Sequence, residues 1–64
     1  MTIDEAHSRL HATGWSSGDV GILEAGKLVW QVFAHKGDIK LVAKSHNRIE
    51  AWVEAVRMAA EADH

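Results

Sequence analysis

Asp4, His7 and His11, close together near the N-terminus, are the chain's first candidate metal ligands. Imidazoles at i and i+4 stand one helical turn apart, close enough to share a metal ion. Zinc helices of the H-E-x-x-H kind place a glutamate beside the first histidine; here Ser8 follows His7, and no third ligand is in view. His35, His46 and His64 are scattered. The histidines therefore read as solvent-facing groups flanking an apolar stripe, and no metal is expected. Ser16, Ser17 and Asp19 form neither a nucleophile elbow nor a phosphate loop. Glu50 and Glu54 share one helix face as solvated carboxylates, and Glu54 with Arg57 makes an ordinary surface charge pair. A chain of 64 residues can hardly enclose a ligand pocket of roughly 300–1,000 Å³. No enzymatic activity and no cofactor are expected.

The elements that position these side chains follow from local signals. Thr2 and Glu5 form a T-x-x-E capping box, and Ile3, Ala6, Leu10 and Thr13 fall on one face, which predicts a helix from about Thr2 to Ala12 stopped by Gly14. "GWSSGDVG" reads as a loop anchored by Trp15. A strand over Val20 to Glu24 and another over Lys27 to His35 are joined by Ala25-Gly26, which sets Glu24 opposite Lys27. A second two-residue turn at Lys36-Gly37 sets His35 opposite Asp38 and leads into a third strand. Ser45 or Asn47 caps a last helix running to about Glu61, whose stripe is Ile49, Trp52, Val53, Val56, Ala59 and Ala60. The expected fold is a single α+β domain over residues 1–64, in the order α-β-β-β-α, with a three-stranded antiparallel meander packed by the two terminal helices.

Size and composition bound the rest. One domain near the lower limit for independent folding, without cysteine, has no disulfide or thiolate site to staple it. Three tryptophans, each able to bury roughly 150–250 Å², partly compensate. A hydrophobic fraction of 47% with 25% charged residues is that of a globular chain. No apolar run is long enough to span a membrane, and the N-terminus lacks the pattern of a signal peptide, so the cytoplasm is the expected compartment. Charge is unevenly spread. Over residues 27–48, Lys27, Lys36, Lys40, Lys44 and Arg48 face only Asp38, while the remainder holds Arg9 and Arg57 against eight acids.

The two-residue turns divide the sheet into two faces. Leu23, Leu28, Trp30, Val32, Ala34, Ile39, Leu41 and Ala43 share one, with Val32 opposite Leu41, Trp30 opposite Ala43, and Gly21 leaving room for the Trp30 indole. This uncharged face is where the helices should pack. The other carries Val20, Ile22, Val29, Phe33 and Val42 among Glu24, Lys27, Gln31, His35, Asp38, Lys40 and Lys44. Five apolar residues are many for a wetted face. One helix on each side would cover them in a three-layer domain; β-branched residues left half exposed, a second copy, another protein, or nucleic acid are the alternatives.

"KSHNR", Lys44 to Arg48, lies where the last strand enters the last helix. Cations at a helix start suit phosphate. In its order of elements the chain resembles double-stranded-RNA-binding domains, whose signature is a lysine cluster entering the final helix. Only Lys44 and Arg48 are comparable, and the residues between them depart from the pattern. The resemblance and the basic stretch over residues 27–48 together give the alternative expectation, nucleic-acid binding through Lys40, Lys44 and Arg48 with Lys27 and Lys36 assisting. The favoured expectation is a non-enzymatic interaction module, self-associating as a homodimer or meeting another protein through Val29, Phe33, Val42, Ile22 and Gln31.

Overall fold

The computed structural model describes residues 1–63. Its elements run α1 (Ile3–Ala12), β1 (Ser16–Glu24), β2 (Lys27–Lys36), β3 (Ile39–Ser45) and α2 (Arg48–Ala62), a small α+β domain in the expected order. The strands form one open antiparallel sheet, β1-β2-β3. Both helices share one core with the same sheet face, so the molecule has two layers and the opposite face is bare.

The capping box at Thr2 is closed in both directions, with the Glu5 amide donating to Thr2 Oγ1 at 3.1 Å and the Thr2 amide to Glu5 Oε1 at 3.2 Å. At its other end α1 finishes in a Schellman motif: the Gly14 amide reaches the His11 carbonyl at 3.0 Å and the Trp15 amide the Leu10 carbonyl at 2.9 Å. Gly14 supplies the left-handed φ of 91° this needs. The motif delivers Trp15 into the core beside Leu10. "WSSGD" consequently does not stay a loop; once Trp15 is seated, Ser16 to Asp19 pair with Val32 to His35. Asn47 caps α2, accepting from the Glu50 amide, while Ser45 bridges the Asn47 amide and the Glu50 carboxylate.

The first hairpin has the expected register, Glu24 opposite Lys27 and Gly21 opposite Trp30. Its turn residues Ala25 and Gly26 both have positive φ, 51° and 79°, as a type I′ turn demands. The second turn corrects the expectation. It is Gly37-Asp38, so Lys36 pairs with Ile39, Ala34 with Leu41, and Val32 with Ala43, two residues away from the anticipated alignment. A turn at Lys36-Gly37 places lysine first, where a two-residue hairpin turn requires positive φ; sliding by one puts Gly37, φ 57°, in that place. Because the pairing moves by two residues, each side chain keeps its face.

The core comprises Ala6 and Leu10 of α1, Trp15, Val32, Ala34, Leu41 and Ala43 of the sheet, and Ala51, Trp52, Ala55 and Ala59 of α2. The buried stripe of α2 is thus rotated from the expected one. Alanines at i, i+4 and i+8 let its backbone approach the sheet, and Val53 is left exposed. Nor is the inner sheet face wholly covered: Leu23, Leu28 and Ile39 are exposed. Ten-residue β2 extends about 33 Å at 3.3 Å per residue. Fifteen-residue α2 extends only about 22 Å at 1.5 Å per residue, so the sheet overhangs the helices.

Candidate functional site

Each end of α2 is tied to the sheet by the same combination of tryptophan, aspartate and cation. Near the start, Asp19 Oδ2 on β1 accepts from Arg48 Nε at 2.6 Å and from the Trp52 indole at 3.0 Å, and the Arg48 guanidinium lies 5.0 Å over the Trp30 ring. Arg48 donation, followed by that of Trp52, holds the Asp19 carboxyl below its ordinary range against the opposing effect of partial burial. Near the end, Asp63 accepts from Lys36 Nζ at 3.0 Å and from the Trp15 indole at 3.2 Å, and Lys36 followed by Trp15 lowers its pKa in the same way. No sequence motif marks these clamps, because Asp19 and Arg48, or Trp15 and Asp63, meet only through the tertiary fold.

They also change the charge picture. Of the five cations between residues 27 and 48, Lys36 pairs with Asp63, Lys44 with Glu24 at 3.6 Å, and Arg48 with Asp19. All three acids come from outside that stretch. The proposed phosphate-binding set Lys40, Lys44 and Arg48 is therefore not gathered into one free cluster: Arg48 is engaged on the helix side, whereas Lys40 and Lys44 lie on the bare face.

On that bare face the expected apolar residues part company. Phe33 is 43% exposed, flanked directly by Val42 (46%) on β3 and by Gly18 on β1, with Val20 (41%) on the neighbouring row. Ile22 and Gln31 are half-buried. Val29, expected at the centre, is only 7% exposed and offers a partner almost nothing. It lies in a recess lined by Glu24, Lys44, Ser45 and His46, beneath the Glu24–Lys44 pair. The open apolar patch is Val20, Phe33 and Val42, bordered by Lys40, Lys44 and His35.

Among the described residues no three or more His, Asp or Glu side chains assemble into a group able to hold a metal. His7 lies edge-on to Trp52, with ring centroids 5.9 Å apart; His64 falls outside the described residues. An open groove between the C-terminal ends of the helices is lined by Leu10, Ala12, Val56, Ala59 and Ala60, with Arg9, Thr13 and Asp63 at its rim. Among the described residues no helix is long and apolar enough to cross a membrane. The chain matches no family model, and no curated protein or solved structure matches it either.

Proposed function

We propose that this chain is a non-enzymatic interaction module that self-associates through the bare face of its sheet. The observation that carries the reading is the contiguous exposure of Val20, Phe33 and Val42 on a face that neither helix covers. Scattered apolar side chains are ordinary on a surface; adjacent ones around an aromatic ring mark a contact site. The partner is a second copy, oriented by charge. Lys27, Lys40 and Lys44 outnumber Glu24 on the sheet face, while Asp4, Glu5, Glu50, Glu54 and Glu61 outnumber Arg9, Arg48 and Arg57 on the helices. An offset approach that brings acidic helical residues toward Lys40 and Lys44 is favoured over a square stack of two basic faces.

The face sets a modest strength. Three strands about 4.8 Å apart and 30 Å long offer on the order of 400 Å² a side, below the roughly 800 Å² per partner of a stable complex. Association through it is accordingly weak. Light scattering across a concentration series tests this: the mass should rise with concentration, and Phe33→Asp should weaken that rise with an unchanged circular dichroism spectrum. A wild-type protein that stays monomeric up to about 1 mM, corresponding to less than about 4 kcal/mol of association, refutes the reading.

A further inference from the structure

The two edges of the sheet are not alike, and the difference identifies what one of them accepts. We infer that β1 pairs antiparallel with β1 of a second copy, joining two three-stranded sheets into one of six strands. The second copy is the partner already proposed, but the contact is a different one, so the two claims can fail separately.

The type I′ turn makes Glu24 and Lys27 a hydrogen-bonded pair, and bonded and non-bonded pairs alternate from there. The backbone N–H and C=O groups of Leu23, Gly21, Asp19 and Ser17 therefore point away from β2, to the open edge. The Leu28 carbonyl agrees with this alternation: opposite Leu23 in a non-bonded pair, it turns toward the β3 side and meets His46 Nδ1 at 3.1 Å. None of the nine residues of β1 is buried. The strand has no proline or lysine, and its register with β2 runs unbroken, without a bulge. Of the usual guards of an edge, β1 carries only an inward-pointing charge, Asp19, and Arg48 already pairs with it.

On β3 the same alternation, counted from the Lys36–Ile39 pair, sends the backbone groups of Lys40, Val42 and Lys44 outward. Self-pairing of β3 about Val42 would set Lys40 of each copy against Lys44 of the other, like charges directly opposite. That edge is guarded. For β1, the alignment centred on Val20 uses the whole strand. Ser17 meets the other copy's Leu23 and Asp19 its Gly21, each twice by symmetry, so every outward group is paired. Glu24 faces Ser16, and Gly18 faces Ile22. Asp19 approaches its own copy only on the diagonal, with its charge already paired to Arg48. Val20 meets Val20 on the axis, next to both Ile22 side chains, on the same face as Phe33. Leu23, 76% exposed in the single chain, gains a neighbour at Ser17 of the other copy.

Cysteine crosslinking reads this register, since the chain contains no cysteine of its own. Val20 on the axis sits in a non-hydrogen-bonded pair, with Cα atoms about 4.5 Å apart, within disulfide reach. Under mild oxidation Val20→Cys should form a disulfide-linked dimer at least about tenfold faster than Val42→Cys, whose exposure is similar but whose strand is guarded. Adding Leu23→Pro should abolish that advantage, because it removes one outward N–H that the monomer leaves to solvent; an unchanged melting temperature shows that the fold survives. Equal rates for the two cysteines, or a Val20→Cys advantage that persists with Leu23→Pro, overturns the edge pairing. Phe33→Asp separates the two claims: partial loss of association with each of Phe33→Asp and Leu23→Pro supports both contacts, complete loss with Phe33→Asp and none with Leu23→Pro refutes the edge, and the reverse pattern refutes the face.

Discussion

Replacing Asp19 with alanine should cost this protein about half of its stability, chiefly through one hydrogen bond. Trp52 is 3% exposed, and its indole N–H donates to Asp19 Oδ2 at 3.0 Å. Among the described residues this is the indole's one hydrogen bond. A bond to a charged acceptor contributes about 1.5–3 kcal/mol, and an abandoned buried donor costs a similar amount, so Asp19→Ala should lose about 2 kcal/mol. A core of this size supplies only about 3–5 kcal/mol in total. The melting temperature should fall by roughly 8–16 °C, at about 4–8 °C per kcal/mol. The assay is urea unfolding followed by circular dichroism, performed as a double-mutant cycle with Trp52→Phe. Phenylalanine removes the N–H, and the cavity it leaves cancels in the cycle. Asp19→Ala should then cost about 1–2 kcal/mol less in the Trp52→Phe background. A coupling below about 0.5 kcal/mol would refute the clamp and reduce Asp19 to a surface partner of Arg48.

Two further predictions concern the turn and the clamps together. Ala25 holds φ 51° at the first place of the type I′ turn, a conformation costing an alanine about 1 kcal/mol and asparagine less, so Ala25→Asn should raise the urea midpoint without changing the slope; no rise, or a fall, contradicts the turn assignment. Stability should also fall in acid. Asp19 and Asp63 have folded pKa values below their unfolded ones, so their contribution is complete above the unfolded value near about 4 and is lost as pH drops through the folded values. Unfolding free energy should be level from pH 7 to about 5 and decline below about 4, with a shallower decline in the Asp19→Asn, Asp63→Asn double variant; a decline as steep as wild type would assign the acid sensitivity elsewhere.

Element order, both helix caps, the first hairpin and the division of each strand into two faces could be read from the residues alone. Each rests on contacts a few residues apart: Thr2 with Glu5, Asn47 with Glu50, Glu24 with Lys27. The position of the second turn is not legible locally, because Lys36-Gly37 and Gly37-Asp38 differ only in where positive φ falls. The early part of β1 carries no local strand signal, because its partners, Val32 to His35, lie 13 to 19 residues further along the chain.

The residues alone establish which side chains are apolar and at what period, and hence that the sheet has two apolar faces. Which of those residues remain open depends on how the helices pack. The helices are shorter than the sheet they cover, so Leu23 and Leu28 on the inner face stay exposed, while Val29 on the outer face is enclosed beneath Glu24 and Lys44. The same holds for charge. The basic middle and acidic ends are separate along the chain, but folding lays Asp19, Glu24 and Asp63 against Arg48, Lys44 and Lys36. Coulomb attraction acts through space and depends on distances of a few ångströms. The chain order records which charges exist; the fold sets which of them are still available to a partner.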